Sequence, residues 1–245
     1  IFNSGFSDNE LSVYGKKFFN RYTLSGDLNY ERNAFNFYGM EIIPANDEIR
    51  VNNQIYNKVS ANTALATNFT AKSKLTYRIG LGYNYLFDKY GASEQNGIFS
   101  VKLINKTGRD SSLFVNFQSD LSQYKNNSVK QDNSLFSVSP NYSMSISALR
   151  VNAGFNLIYE NGINNKVHFY PAIELYYKIS GNYLVGFGGM SGNLVKNSYN
   201  SLTQENPYLS QNIDFNNTNE KLNFFGGFKG IINHYSNYKI KGSIV

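Results

Sequence analysis

The sequence lacks residues on which several kinds of protein depend. It has no cysteine, no tryptophan, four prolines and two histidines among 245 residues. Without cysteine the chain can form no disulfide, no thiolate metal site and no cysteine nucleophile. No apolar run approaches the roughly 18 residues of a membrane helix. The net charge is +6, but Lys and Arg are scattered, so no basic stripe interleaved with aromatic residues indicates nucleic acid.

Alternation of apolar and polar residues is the dominant pattern that remains. In residues 74–87, KLTYRIGLGYNYLF, apolar side chains occupy every second position from Leu75 to Phe87. Successive side chains of a strand point to opposite faces, so this stretch is predicted to be a strand with one apolar face. It is longer than the typical ~5–6 residues of a strand. Crossing a bilayer takes about 9–11 tilted residues, which accounts for the length.

The same alternation recurs along the chain and predicts about twelve strands in a single domain over residues 1–245. The predicted strands are 10–19, 22–38, 55–70, 74–87, 97–105, 111–124, 134–146, 149–160, 167–179, one that begins at 183, 220–232 and 238–245. In the second strand the phase of the apolar residues changes. This change predicts a β-bulge near Glu31–Asn33, after which Phe35 and Phe37 occupy the apolar face. No helical periodicity competes with these strands.

The connections between the predicted strands alternate in length. Short links join the strands in pairs, and longer links are predicted at 39–54, 88–96, 125–133, 161–166 and 191–219. Short periplasmic turns and longer extracellular loops are typical of outer-membrane barrels. We therefore expect an all-β, antiparallel up-and-down transmembrane β-barrel, integral to the bacterial outer membrane, with the long loops extracellular.

This topology has a consequence for the two ends of the chain. If the short turns are periplasmic, both ends of the sequence lie outside the cell, whereas single-chain barrels normally begin and end in the periplasm. We therefore expect the chain to be incomplete at both ends, as part of a barrel of about 14 or more strands.

Alternation also assigns side chains to lipid or to the lumen. The aromatic residues predicted to face lipid or form girdles are Tyr77, Tyr83, Tyr85, Phe87, Phe99, Phe117, Phe155, Tyr159, Phe169, Tyr177, Phe224 and Phe228. The charged residues predicted to line the lumen are Asp27, Lys58, Arg78, Lys102, Asp120, Arg150, Glu174, Lys178, Lys221 and Lys229. A lining that leans cationic favours anions, whereas a salt-bridged polar interior closes a narrow barrel. The sequence leaves both interpretations open.

Two stretches carry a family resemblance. They are LSVYGKKFFNRYTLSGDLNYERNAFNFYG at 11–39 and NPYLSQNIDFNNTNEKLNFFGGFKGIINHYSNYKIKGSIV at 206–245. Both resemble the barrel portion of the bacterial outer-membrane proteins of the TonB-dependent-receptor-like family. The second is similar to the family's extracellular Asn-Pro segment, followed by a T-x-E-K strand start and a hairpin. The resemblance implies energised uptake of a solute.

Three functions remain as hypotheses. The first is solute passage or uptake through the lumen, and the second is an accessory barrel of an outer-membrane protein complex that binds partners through loops 39–54 and 191–219. A barrel hydrolase is the third, but with only His168 on an inward position and His234 in a turn we expect no enzyme. We expect outer-membrane lipid and lipopolysaccharide as partners, no nucleic acid and no cofactor. The oxygen-rich loops 45–54 and 212–220 do not match Ca²⁺-loop spacing, so we interpret them as solvated.

Overall fold

The twelve predicted strands are confirmed. The computed structural model describes residues 5–36, 53–68, 73–162, 164–181, 183–210, 213–233 and 235–245. Within these ranges twelve strands form one antiparallel up-and-down sheet in which each strand pairs with its neighbours in sequence. The first and last strands do not pair with each other, so the described sheet is not closed. A barrel of 14 or more strands stays a prediction.

The strands are longer than those of most soluble sheets. Their bounds are β1 Phe6–Phe18, β2 Tyr22–Asn36, β3 Asn53–Thr67, β4 Leu75–Asp88, β5 Ser93–Lys106, β6 Ser111–Lys125, β7 Lys130–Ile146, β8 Leu149–Asn161, β9 Lys166–Ser180, β10 Leu184–Val195, β11 Thr218–Asn233 and β12 Ser236–Ile244. Most have 13 or more residues, enough to cross a bilayer at a tilt.

The sheet has two chemically different faces. We call the face that carries Leu81 and Phe117 the outer face, and the face that carries Arg78 and Gln118 the inner face. Large apolar side chains of the outer face are open to the surroundings, with Leu81 55% and Phe169 65% exposed. A contiguous exposed apolar surface of this extent marks contact with lipid or protein. Alternation in the sequence therefore produces one apolar and one polar face in the folded sheet.

The predicted bulge in β2 is wrong. The register between β2 and β3 runs without a shift from Tyr22 opposite Thr67 to Asn36 opposite Asn53. Unbroken pairing places Phe35 opposite Gln54 on the inner face, where it packs against Tyr56. The apolar phase changes because the inner face itself becomes apolar at this end of the sheet. Phe37 lies outside the described residues.

Three of the predicted long links are shorter than expected. The connections at 88–96, 125–133 and 161–166 shrink to 89–92, 126–129 and 162–165. The strands extend through polar residues such as Glu94 and Gln131, because ladder pairing depends on the backbone rather than on apolar side chains. The long connections at this end of the strands are then 37–52 and 196–217. We call this end of the strands the long-loop end. The opposite end, which includes the turn Ser147–Ala148, is called the short-turn end.

The connection 196–217 contains a short helix that the sequence pattern did not predict. Helix α1 spans Tyr199–Glu205 and begins with a capping box between Ser198 and Ser201. Seven residues are too few to show helical periodicity, so only the capping pair could have indicated it. Residues 196–217, of which all but 211–212 are described, are called the inner segment because they pack on the inner face. Among the described residues, no helix is long and apolar enough to cross a membrane.

The two faces can be tested at adjacent positions of β6. Phe117 lies on the outer face, where its ring packs edge-on against Phe99, and Gln118 lies on the inner face beside a cavity with Asp120. An Arg on the lipid face at mid-bilayer costs about 2–4 kcal/mol. We expect Phe117→Arg to lower the free energy of unfolding from lipid vesicles by about that amount. Urea unfolding followed by tyrosine fluorescence measures it.

The matched control is Gln118→Arg, which adds the same side chain one residue away. We expect less than half the destabilisation there, because the inner face is polar and the carboxylate of Asp120 is near. Equal losses of stability in the two variants would contradict the assignment of faces.

Candidate functional site

The inner segment is anchored to the sheet by a fully buried tyrosine. Tyr199, at the start of α1, has no exposed surface. Its ring centroid lies 5.0 Å from that of Tyr124 and 6.1 Å from that of Tyr56. The ring of Phe215, near the end of the segment, packs 4.9 Å from Tyr124. Both halves of the segment therefore join one aromatic cluster on the inner face, at the long-loop end.

A buried carboxylate binds the hydroxyl of this tyrosine. Asp88, at the end of β4, is 7% exposed. Its Oδ2 accepts hydrogen bonds from Tyr199 Oη at 3.0 Å and from Gln54 Nε2 at 2.9 Å. Its Oδ1 accepts from the backbone amides of Tyr90 and Ala92 at 2.9 and 2.8 Å. Burial raises the pKa of Tyr199 far above its usual range, and Asp88 adds to the shift, so the hydroxyl remains a donor.

A second buried carboxylate binds the backbone of the same residue. Glu94, at the start of β5, is 4% exposed. Its Oε2 accepts a hydrogen bond from the Tyr199 amide at 2.5 Å. The first amides of a helix have no partner inside it, so Glu94 satisfies a donor that burial would otherwise leave without one. The two carboxylates thus fix the position and direction of α1.

An ion pair holds the start of the inner segment. Lys196 pairs with Asp120 on β6, and both side chains are largely buried, at 12% and 18% exposed. Asn96 Nδ2 donates to the same Asp120 Oδ1 at 2.5 Å. Asp120 is one of the charges predicted to line the lumen, and its partner Lys196 was not predicted. The pairing joins positions 76 residues apart, which no local sequence pattern reports.

An asparagine pair holds the end of the inner segment. Asn217 and Asn133 exchange side-chain hydrogen bonds at 2.9 and 3.0 Å. Asn217 Nδ2 also donates to Glu160 Oε1 at 2.8 Å, and the other oxygen of Glu160 lies 3.0 Å from His168 Nε2. His168 is therefore on the inner face, as its strand parity predicts, and belongs to the contacts that fix the segment. His234 lies outside the described residues.

The structure places the predicted site residues as follows. All twelve predicted girdle aromatics share the outer face by strand pairing. Nine of the ten predicted lumen charges share the inner face, and they are Asp27, Lys58, Arg78, Lys102, Asp120, Arg150, Glu174, Lys178 and Lys229. The tenth, Lys221, lies where the pairing of β10 with β11 shifts register, so pairing assigns it to neither face. Whether these residues meet lipid and an open lumen stays a prediction.

Other contacts complete the inner face at the long-loop end. Leu135, Ile158, Tyr170 and Leu194 form a small buried apolar cluster beside the segment. A cavity of about 560 Å³ lies beside α1, and it is lined by Glu10, Glu31, Tyr56 and Gln204 among others. Within the described ranges, no three acidic or histidine side chains gather closely enough to hold a metal ion. These contacts hold the inner segment in one position on the inner face.

Comparison with known proteins supports the fold. No protein-family model and no curated protein matches the sequence. FpvA of P. aeruginosa, a TonB-dependent receptor solved with a bound pyoverdine–iron complex, is similar in structure with a TM-score of 0.62 at 11% identity, over 97% of this chain and 41% of the receptor chain. FpvAI in complex with pyocin S2 gives 0.62 at 12% identity, over 97% and 40%. The chain thus spans about two fifths of these receptor chains, and its twelve-stranded sheet is similar in fold to part of their β-barrel.

The hydrogen bond between Tyr199 and Asp88 is tested by Tyr199→Phe. A hydrogen bond to a charged group contributes about 1.5–3 kcal/mol. We therefore expect backbone amides of the inner segment to exchange with deuterium roughly ten- to a hundredfold faster in the variant. Hydrogen–deuterium exchange with mass spectrometry measures the change. Amides in the middle of β6 are expected to stay as protected as before.

Tyr235→Phe serves as the control, because Tyr235 is 98% exposed at the short-turn end. Unchanged exchange in Tyr199→Phe would show that this hydroxyl does not hold the segment.

Proposed function

We propose that this chain is part of the wall of an outer-membrane β-barrel through which a solute passes or is taken up, and that the inner segment narrows the lumen at its extracellular mouth. The single observation that carries the proposal is the burial of Tyr199 on the inner face, bound to Asp88 and Glu94. A connection of this length that packs on the inner face occupies space that would otherwise belong to the lumen.

The two faces of the sheet support the membrane part of the proposal. An apolar outer face and a polar inner face, on strands long enough to cross, are what a barrel requires in lipid. The structural similarity to FpvA, which has been solved with a bound pyoverdine–iron complex, supports a transport-related role. Uptake by this chain is our proposal, since the similarity concerns the fold.

The same geometry supports lipid and lipopolysaccharide as partners. Arg32, Lys125 and Lys130 lie on the outer face near the long-loop end, beyond the apolar rows, and Lys125 is directly opposite Lys130. Like charges in opposite positions repel each other unless an anion lies between them. Phosphates of lipopolysaccharide are the anions expected at this height of the membrane.

The alternative is an accessory barrel that binds partner proteins through two loops. The structure of one of these loops argues against it. Most of the predicted partner-binding loop 191–219 is tied to the inner face rather than free to reach a partner. The other loop, 39–54, lies outside the described residues except for Asn53 and Gln54. For the hydrolase alternative, the pair of His168 and Glu160 is engaged with Asn217, so we propose a structural role for it.

Conductance tests the narrowing of the lumen. Lys196→Met removes the ion pair with Asp120, and loss of a charged hydrogen bond of about 2 kcal/mol raises the population of a detached segment by roughly thirtyfold. We expect a higher open frequency or a larger conductance step in planar bilayers than in the wild-type protein. Single-channel recording measures both.

Lys102→Met is the matched control, because it removes one inner-face lysine of β5 without touching the segment. We expect it to leave the open frequency near the wild-type value. A barrel that stays closed in the wild type and in Lys196→Met, at every voltage, would contradict simple passage.

A further inference from the structure

The inner face at the short-turn end of β8–β12 is strongly cationic. Five cationic residues lie on this face, and they are Arg150, Lys178, Lys229, Lys239 and Lys241. Residues 150–156, 172–180, 184–191 and 223–245, which build this half of the five strands, contain one carboxylate, Glu174. That carboxylate accepts hydrogen bonds from Tyr176 Oη at 2.9 Å and from Asn152 Nδ2 at 3.4 Å. Within the described part of the chain, none of these five cationic residues forms an ion pair with a carboxylate.

Three of these lysines lie over aromatic rings of the same face. Lys229 Nζ is 4.2 Å from the ring centroid of Tyr176, and Lys241 Nζ is 4.4 Å from that of Phe225. Lys239 Nζ is 5.5 Å from the centroid of Phe187. A cation over an aromatic face is attracted by the ring quadrupole. The rings therefore restrict where the three ammonium groups lie.

Two glycines make room for two of the rings. A Cβ at Gly227 would lie 2.9 Å from Cζ of Phe187, and a Cβ at Gly189 would lie 2.9 Å from Cζ of Phe225. Phe187 and Phe225 thus lie across neighbouring strands at positions that carry no side chain. This packing keeps the rings close to the sheet, with their lysines above them. We call the three rings and three lysines the cationic strip.

The strip places two lysines opposite each other on neighbouring strands, and a bound anion would relieve the repulsion between their charges. Lys229 and Lys239 are directly opposite each other in the pairing of β11 with β12. Opposed residues of an antiparallel pair have Cα atoms about 4.5–5.5 Å apart, and like charges in such positions are destabilising. The two ammonium groups lie over Tyr176 and Phe187, whose ring centroids are 6.1 Å apart. An anion with more than one charged group can therefore contact both, and Lys241, two residues along β12, can bind a further group.

We propose that the cationic strip binds an anionic solute that carries two or more phosphate or carboxylate groups. The proposal rests on the proposed function, because it names the class of solute that the lumen takes. It differs from a general preference for anions in that it assigns binding to Lys229, Lys239 and Lys241 and to the rings beneath them.

Binding of pyrophosphate to the intact protein in detergent tests the strip. We expect the variant Lys229→Gln, Lys239→Gln, Lys241→Gln to bind at least about tenfold more weakly than the wild type, as followed by isothermal titration calorimetry. The control variant Lys16→Gln, Lys102→Gln, Lys106→Gln removes the same charge from the inner faces of β1 and β5. It is expected to change the affinity by less than about threefold.

A second variant separates the rings from the charge. Tyr176→Leu, Phe187→Leu, Phe225→Leu keeps every lysine, and we expect weaker binding because the ammonium groups are no longer restricted. Unchanged binding in this variant would overturn the role of the rings. Heat-dependent migration on a detergent gel shows that each variant is folded.

The binding assay tests the cationic strip and the conductance assay tests solute passage, so either proposal can be contradicted without the other. Equal losses of affinity in the two lysine variants, or no pyrophosphate binding by the wild-type protein, would overturn the strip even if the barrel conducts. Pyrophosphate binding that depends on the three lysines, in a barrel that never conducts, would instead contradict passage and leave the strip in place.

Discussion

The buried carboxylates of Asp88 and Glu94 are the constraint on which the long-loop end of this structure depends. A buried carboxylate without hydrogen-bond donors is costly. The turn after β4 supplies two backbone amides to Asp88, and Tyr199 supplies its hydroxyl to Asp88 and its amide to Glu94. Since these contacts require Tyr199 at one place, they determine where the inner segment enters the inner face. The ion pair of Lys196 and the hydrogen bonds of Asn217 then fix its two ends.

The inner segment also explains why the inner face changes from apolar to cationic along the strands. At the long-loop end the inner face carries aromatic and apolar side chains such as Phe35, Tyr56 and Leu135, because the segment covers them. Toward the short-turn end of β9–β12 the inner face carries lysines above aromatic rings, and no described segment packs on them. The outer face has no such division and stays mainly apolar through the middle of the strands. One sheet therefore combines a mainly apolar outer face with an inner face divided into a packed long-loop end and a cationic strip.

Local alternation in the sequence was enough to predict the twelve strands and the face of nearly every site residue. It succeeds because side-chain direction along a strand has a period of two, whatever the partner strand is. It was wrong at Phe35, where an apolar residue was assigned to the outer face although a distant segment covers the inner face. The contacts of Tyr199 with Glu94 and Asp88 join residues 105 and 111 positions apart. Such contacts leave no periodic pattern, so Asp88, Glu94, Lys196 and Tyr199 could not be recognised as a group before the structure was known.

The fixed position of the inner segment is the central feature of this structure, and a distance measurement tests it directly. Because the chain has no cysteine, spin labels can be attached only at introduced sites, Gln204→Cys in α1 and Lys125→Cys at the end of β6. Double electron–electron resonance on the intact protein in lipid then reports the distance between segment and wall. We expect one narrow distance distribution, as narrow as that between two positions within strand β6, Lys125→Cys and Leu113→Cys. A broad distribution for the first pair beside a narrow one for the second would contradict it.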